Sequence, residues 1–414
     1  MKRPSYSLIV VGGGAAGFFG ALAFAEKAPG ADILILEKGR ELLSKVKISG
    51  GGRCNVTHAC FDPAELVTYY PRGRRELLGP FHKFGPSDTI QWFESRGVSI
   101  KTERDGRMFP VTNNSQTIID CFLREADQAG IEIRCKAGVS NIEPRQEGGW
   151  LIRLTDGTEC TASQVLVASG SSRSGWSMLE DLGLRVIDPV PSLFTFQIKD
   201  QRLEGLQGLS VPAASVEIPE ARLSESGPLL ITHWGVSGPA VLKLSARGAR
   251  KLHECAYSFQ LKINFLGSLS FNDASIELQR FRRDHGAKAV GRNGVWPEIP
   301  GRLWNRLLQA AGIRDEERWA DLSGKKMQAI LAQVTDATYS VSGKSTFKEE
   351  FVTAGGVDLR EIDLRSFESK SHPGLFLAGE VLNIDALTGG FNFQAAWTGG
   401  YLAGCAAAKR MNPG

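Results

Sequence analysis

Gly12, Gly14 and Gly17 stand at G-x-G-x-x-G spacing, and Glu37 follows twenty residues after the last of them. Residues of these types at this spacing can hold a dinucleotide. Gly12 permits a tight turn, Gly14 lets the backbone approach a pyrophosphate, and Gly17 lets a helix pack close to its strand. The first-turn N–H groups around Ala15 and Ala16 then face the phosphates, helped by the helix dipole. Glu37, followed by Lys38, can accept hydrogen bonds from two ribose hydroxyls. The flanking elements needed to position this set are present. Leu8–Val11 is an apolar run ending at Gly12, Ala15–Ala28 is rich in helix formers, and Ile33–Leu36 is a second apolar run closed by Glu37.

A competing reading takes the charge-free stretch Ser7–Ala25, preceded by Lys2 and Arg3, as a signal peptide or membrane span. Five glycines within it make a poor spanning helix, and Ile33–Glu37 would have no role. No other stretch is apolar and long enough to cross a bilayer. The 414 residues suggest two or three domains with ample core at 42% apolar content. A net charge of +4 is too mild to imply nucleic acid by itself. Seven cysteines without a paired framework read as reduced thiols and a cytoplasmic location.

Downstream, Thr117–Ala129 has the pattern of an amphipathic helix and Ile131–Cys135 that of a strand. Val139–Glu143, Trp150–Leu154 and Glu159–Ala162 form a β-meander, and Gln164–Ala168 a separate apolar strand ending in Ser169-Gly170. Prolines punctuate a β-rich stretch to about Ile231. Ile276–Arg283, Leu303–Ala311 and Lys325–Gln333 have helical spacing. Phe351–Val357 and Gly374–Ala378 are strand-like, and Phe391–Ala408 is a last helix. A meander in place of further βαβ units is unlike an NAD dehydrogenase and fits an FAD domain. The predicted fold is therefore α/β, of the two-dinucleotide-binding type: a Rossmann-like parallel sheet with a β-meander, interrupted by a β-rich insert and a helical cap. Residues 1–190 and 345–414 form a discontinuous FAD-binding domain, 191–250 with about 340–356 a β-rich substrate domain, and 251–339 a helical insert. Gly379 and Glu380 end a strand so as to offer a carboxylate to the ribityl chain. Gly389, Gly390, Phe391 and Asn392 open the last helix, whose N–H groups would face the flavin pyrimidine.

The chain resembles the BaiN-like NAD(P)/FAD-dependent oxidoreductases, a group that also includes aminoacetone-oxidase-like flavoproteins. The resemblance rests on K-I-S-G-G-G-R-C-N at Lys47–Asn55, G-R-M-F-P at Gly106–Pro110, T-H-W-G-V-S-G-P at Thr232–Pro239 and V-T-A-G-G-V at Val352–Val357. It continues with G-E-V-L at Gly379–Leu382 and G-G-F-N at Gly389–Asn392. These motifs occur in family order over almost the whole chain. The resemblance implies bound FAD, a β-rich insert and a helical cap, without settling the substrate. Asn383 stands where members often have Asp, which leaves Asp385 as the nearby carboxylate for the ribityl chain.

Ser49, Gly50, Gly51, Arg53, Cys54 and Asn55 lie where FAD domains run beside the isoalloxazine. The glycines permit close approach, and Arg53 could stabilise a reduced, anionic flavin. Lys45, Val139, Ser169 and Gly170 complete the expected cofactor contacts. Cys54 and Cys60 have five intervening residues; without a second dinucleotide unit they read as two unpaired thiols. His233, at a strand end, could act as acid or base or bind a substrate oxygen, or be structural. His58 and His82 have weaker context. The histidines show no metal-ligand spacing, so no metal site is expected. The basic clusters Arg72, Arg74, Arg75 and Arg280, Arg282, Arg283 read first as solvated faces, making nucleic acid an unlikely partner.

The expected activity is an FAD-dependent oxidoreductase passing a hydride through flavin N5 to or from a small organic substrate, with NAD(P)H as a transient reductant and enone reduction favoured. Amine oxidation with oxygen, and a non-catalytic or RNA-associated flavin-binding protein, are the alternatives.

Overall fold

The computed structural model describes residues 4–345 and 352–411. Their contacts divide into two units, residues 1–190 with 352–414, and residues 191–351.

The first unit is built on a nine-stranded sheet. Ser5–Val11 lies at its centre, parallel to Ile33–Leu36 on one side and Glu159–Val167 on the other, with Leu377 and Val11 both in register with Val167. Glu132–Arg134 and Leu375–Leu377 extend the parallel set. The unbroken apolar run of the central strand is suited to this place because both faces are covered: Leu8, Ile9 and Val10 are wholly buried. The meander strands Val139–Pro144 and Trp150–Leu154 pair antiparallel with each other and then with Glu159–Val167. Sequence reading splits this last segment at residue 163 into a meander strand and a parallel strand. It is one continuous strand, because its N-terminal half completes the meander while its C-terminal half enters the parallel sheet.

The first helix, Ala15–Lys27, is apolar nearly all round because it is covered on both sides. The last helix, Phe391–Met411, lies against it. A Cβ at Gly400 would stand 2.5 Å from the Ala16 carbonyl oxygen, and one at Gly404 2.2 Å from that of Gly20. The small residues therefore set how closely the two helices approach. Phe19, Trp92, Phe122 and Trp397 form an aromatic cluster with ring centroids 4.5–6.0 Å apart, burying large apolar area. Val186–Ser192 pairs with Val352–Val357 in a small two-stranded sheet; Phe351, read as the start of the latter, lies outside the described residues.

The second unit contains a closed six-stranded barrel in the order Thr195–Ile198, Gly235–Ser237, Leu223–Ile231, Ser210–Ile218, Phe259–Asn264 and Ala337–Ser345. Phe259–Asn264 lies in the stretch read from sequence as helical. Its burial alternates, with Leu261 and Ile263 inside, and it bridges two strands distant in sequence. Pro239–Glu254 is a helix inside the stretch read as β-rich; proline starts it, and Val241, Leu244 and Leu252 are buried along one side. The helices Phe271–His285, Gly301–Ala310 and Gly324–Thr335 pack around Trp304 and Trp319.

Candidate functional site

The candidate site lies at the C-terminal ends of the parallel strands of the first unit, where ligands bind in open α/β sheets. Gly12 ends the first strand with φ +114°, and a Cβ there would lie 2.4 Å from the Ala168 carbonyl oxygen. A Cβ at Gly17 would lie 2.0 Å from the Gly12 carbonyl oxygen. Both positions thus exclude any larger residue. At Gly14 a Cβ would meet nothing within 4 Å, and the helix that starts at Ala15 has no side-chain cap. The loop therefore combines uncapped N–H groups with open space, the cradle a pyrophosphate needs.

Glu37 has a role the sequence reading does not include. Its Oε2 accepts the Gly13 N–H at 2.8 Å and its Oε1 the Gly39 N–H at 2.6 Å. The carboxylate ties the glycine loop to the end of the second strand. Ala137 donates its N–H to the Glu37 carbonyl, which brings the segment leading to Val139 alongside, and Lys38 is exposed beside it.

Two further strand ends meet this loop. Ser169 and Gly170 follow Glu159–Val167, with the Ala168 N–H donating to Val11. Gly379 stands against Ala16, where a Cβ would sit 3.0 Å from that of the alanine. Glu380 forms an ion pair with Lys45, whose Nζ also reaches Ser171 Oγ at 3.5 Å. Residues 45, 171 and 380, far apart in sequence, are thereby assembled into one polar cluster.

Ser49–Gly52 breaks a helix, since Gly50 and Gly51 have φ of +58° and +68°. Gly51 and Gly52 leave open space where a Cβ would be, whereas at Gly50 it would stand 2.9 Å from Phe109. Arg53 is directed to Glu103 at 2.6 Å and lies 4.0 Å over the Phe109 ring. The Cys54 thiol is buried, and burial pushes its pKa up to about 12; Cys60 is likewise pushed up to about 11. All seven cysteines are free.

The start of the last helix is held by side chains from the Asn55 segment. With its amide oriented to satisfy both groups, Asn55 accepts the Gly390 N–H at 2.9 Å and donates to the carbonyls of Thr57 and Met108. Thr57 and Thr89 donate to Gln394 Oε1 at 2.6 and 3.0 Å, and Trp397 donates to the Val56 carbonyl at 2.9 Å. The Gly390 N–H expected to face a flavin edge is thus already occupied. Asn392 pairs in both directions with the Ala386 backbone, and the fully buried Asp385 carboxylate is gripped by Arg72. Both side chains, assigned to the cofactor from sequence, fix the segment before the helix.

Sequence reasoning gave His58 little weight. Its ring stacks on Phe391 at 4.7 Å, Phe391 stacks on Tyr69 at 4.2 Å, and the Phe391 carbonyl accepts the Tyr70 hydroxyl. Burial, its main influence, lowers the His58 pKa, which favours the neutral ring. Its neighbours come from residues 69, 105, 389 and 391, so no local motif marks it. His233 lies in the second unit, at the tip of a tight hairpin closed by the Thr232 N–H donating to the Gly235 carbonyl. His233 and Trp234 are both exposed there. Among the described residues no cluster is arranged to hold a metal, and no helix is long and apolar enough to cross a membrane.

The residues present fit FAD: an uncapped glycine-turn helix, room at Gly14, Gly51 and Gly52, and three strand ends converging on them. The protein is an FAD-dependent oxidoreductase of Rossmann type. It belongs to the family described as HI0933-like protein Rossmann domain, which matches residues 6–406. It is 29% identical over 408 residues to the ribosomal RNA dihydrouridine synthase of Escherichia coli (strain K12), covering 95% of this chain and 96% of that one. It is 27% identical over 413 residues to the 3-dehydro-bile acid delta(4,6)-reductase of Clostridium scindens, covering 97% and 98%. Among solved structures, the 3-ketosteroid-delta4-(5alpha)-dehydrogenase of Rhodococcus jostii RHA1 shares the fold, with a TM-score of 0.53 at 14% identity over 99% of this chain and all of that one.

Proposed function

We propose that this enzyme adds hydrogen across a carbon–carbon double bond conjugated to a carbonyl, with a nicotinamide dinucleotide as the source of electrons. The observation that carries this reading is the agreement between two relatives matched over nearly their full length. One is named for making dihydrouridine and the other for reducing a bile acid at its 4,6 positions. A uracil ring and a 4-en-3-one share that chemistry, because in each the carbonyl withdraws electrons from the double bond. Bound FAD, once reduced by the nicotinamide dinucleotide, would supply hydride chemistry at the carbon remote from the carbonyl; with a proton to the adjacent carbon, two electrons and two hydrogens would be added.

The chain's own residues have the following parts in this reading. Gly12, Gly14 and Gly17 leave room for the pyrophosphate, with the N–H groups at Ala15 and Ala16 as its donors. Glu37 orders the loop and faces the ribose, with Lys38 and Val139 beside it. Lys45, Ser169, Gly170, Gly379 and Glu380 form the polar cluster around the chain that links pyrophosphate and ring. Ser49, Gly50, Gly51, Arg53, Cys54 and Asn55 wall the ring on one side, and Gly389, Gly390 and Phe391 on another. His233, exposed in the second unit, is the proposed acid or base of this reading.

The test is anaerobic bleaching of the purified flavoprotein with NADH and with NADPH, followed by mixing with uridine monophosphate, ribosomal RNA, a 4-en-3-one steroid, a quinone or oxygen. Reoxidation by at least one conjugated alkene, faster than by oxygen and with a product two hydrogens heavier, is the expected result. Reoxidation by oxygen or quinone alone rejects the reading.

A further inference from the structure

Addition of hydrogen across a conjugated double bond consumes a proton as well as a hydride, and the proton needs a donor held at the site. The proton-bearing groups around the start of the last helix and the Ser49–Asn55 segment are mostly committed elsewhere. Lys45 is paired with Glu380 and Arg53 with Glu103. The Cys54 thiol is buried, and the Tyr70 hydroxyl donates to the Phe391 carbonyl at 2.6 Å. His58 holds the Asp105 carbonyl with Nε2 at 3.2 Å, while its Nδ1 is sealed from solvent.

Tyr69 is the exception. The chain has six tyrosines. Tyr6 donates to Glu132, Tyr257 shares a bond with His253, and Tyr401 pairs with Cys405. The Tyr339 hydroxyl is sealed in the core of the second unit. With Tyr70 used as above, Tyr69 is the one whose hydroxyl is neither bonded to a described residue nor sealed from solvent. Its position is nevertheless fixed. Asp62 accepts the Ala64 N–H and starts the helical turns that run through Pro63–Leu66 and Val67–Tyr69. The Tyr69 carbonyl accepts the Leu387 N–H, and the ring stacks on Phe391 with centroids 4.2 Å apart and planes at 13°. Packing accounts for the ring, which phenylalanine would supply equally well; it does not account for the hydroxyl. Burial, the main influence, raises the pKa of that hydroxyl, so it carries its proton at neutral pH.

We propose that Tyr69 is a catalytic residue of this enzyme, donating its hydroxyl proton to the substrate carbon next to the carbonyl. The inference rests on the reading that a conjugated alkene is reduced, and on the part given there to Gly389, Gly390 and Phe391 as a wall of the ring site. Hydride arriving at the remote carbon leaves the electron pair of the double bond as an enolate. The Tyr69 O–H bond breaks as that pair forms the new C–H bond, and the tyrosinate left behind regains a proton from water. The carbonyl oxygen, where negative charge develops, calls for a separate donor, so this part is additional to that of His233.

The test uses the full-length flavoprotein and whichever alkene reoxidises it: uridine monophosphate, ribosomal RNA or a 4-en-3-one steroid. Tyr69→Phe removes the hydroxyl and keeps the ring. Reoxidation by that alkene should slow about 100-fold, a typical loss for a general acid. Bleaching by NADPH, reoxidation by a quinone, FAD content and Tm should stay at parent values. N-acetylimidazole, which acylates accessible tyrosine hydroxyls, gives a readout apart from activity. In the oxidised protein, mass spectrometry should find Tyr69 modified ahead of the other five tyrosines, and the same alkene should slow that modification. Reoxidation of Tyr69→Phe by the alkene at the parent rate overturns the proposal and leaves the reaction standing. Modification of Tyr69 that the alkene does not slow overturns it as well. Equal slowing with alkene and quinone also overturns it, because that marks a structural loss. If none of these alkenes reoxidises the parent protein, the reaction itself is rejected, and with it this part for Tyr69.

Discussion

Asn55 and Gly390 are joined by a hydrogen bond of 2.9 Å from the glycine N–H to the asparagine side-chain oxygen. The bond ties the glycine-rich segment after the second strand to the start of the last helix. It also explains why Gly390 tolerates no side chain: with φ +93°, a Cβ there would stand 2.6 Å from the Thr57 carbonyl oxygen and 2.9 Å from Asn55.

Gly390→Val should therefore act through packing before it acts on flavin chemistry. The strained backbone alone costs about 1–3 kcal/mol, and the clash displaces the helix start. Expected outcomes are a lower Tm and loss of most bound FAD. Gly51→Ala, which adds a Cβ in open space, should fold with a smaller loss of stability. Equal Tm and flavin occupancy in Gly390→Val and the parent protein would show that the helix start is not held as described.

Glu37→Ala removes an acceptor from two backbone N–H groups as well as from the proposed ribose site. FAD affinity should fall by about 1.5–3 kcal/mol. The apoprotein should also lose stability, because Gly13 and Gly39 each lose a charge-assisted bond. Calorimetry of the apoprotein separates the two effects. An unchanged apoprotein Tm alongside weakened FAD binding would assign Glu37 to the ribose alone.

Burial lowers the His58 pKa, so the folded protein holds this proton less tightly than the unfolded chain does. Between the folded value and the ordinary imidazole value of about 6.5, the unfolded state binds more protons. Stability contributed by this group is thus present above that range and lost as pH falls through it. His58→Gln should flatten the fall of Tm with acidification in that interval. Parallel Tm–pH curves for the two proteins would contradict this account.

The Cys54 and Cys60 thiols, with pKa values pushed up to about 12 and about 11, are neutral at neutral pH. Brief treatment of the native protein with iodoacetamide, followed by peptide mass spectrometry, should label exposed Cys135 and Cys255 and spare these two. Bleaching by NADPH should survive the labelling. Rapid modification of Cys54 in the native protein would reopen a redox role for it.

Arg72→Met leaves the buried Asp385 carboxylate without its arginine. Removing one partner of a buried pair typically costs about 3–5 kcal/mol, so denaturant unfolding should show a loss of this size. A loss below about 1 kcal/mol would match an exposed pair instead.

The strand, helix and strand around the glycine motif were legible in the residues themselves. Leu8–Glu37 encodes strand, turn, helix and strand within one short stretch, because turn glycines and apolar periodicity act over a few residues. The helices around Trp304 and the helix at the C-terminal end were legible for the same reason. Other features depend on contacts between distant segments. The strand Phe259–Asn264 lies in a polar stretch read as helical; its partners Ser210–Ile218 and Ala337–Ser345 close the barrel around it. Glu37 was visible as a ribose acid, but its grip on Gly13 and Gly39 follows from the path of the loop. Asp385 and Asn392 lie in a motif that points to the cofactor, yet Arg72 and the Ala386 backbone occupy their side chains. Local composition determined which elements form and where a dinucleotide can enter. Tertiary structure decided which polar groups remain available to it, because a buried hydrogen-bonding group must find a partner, and here that partner comes from a part of the chain that spacing does not reveal.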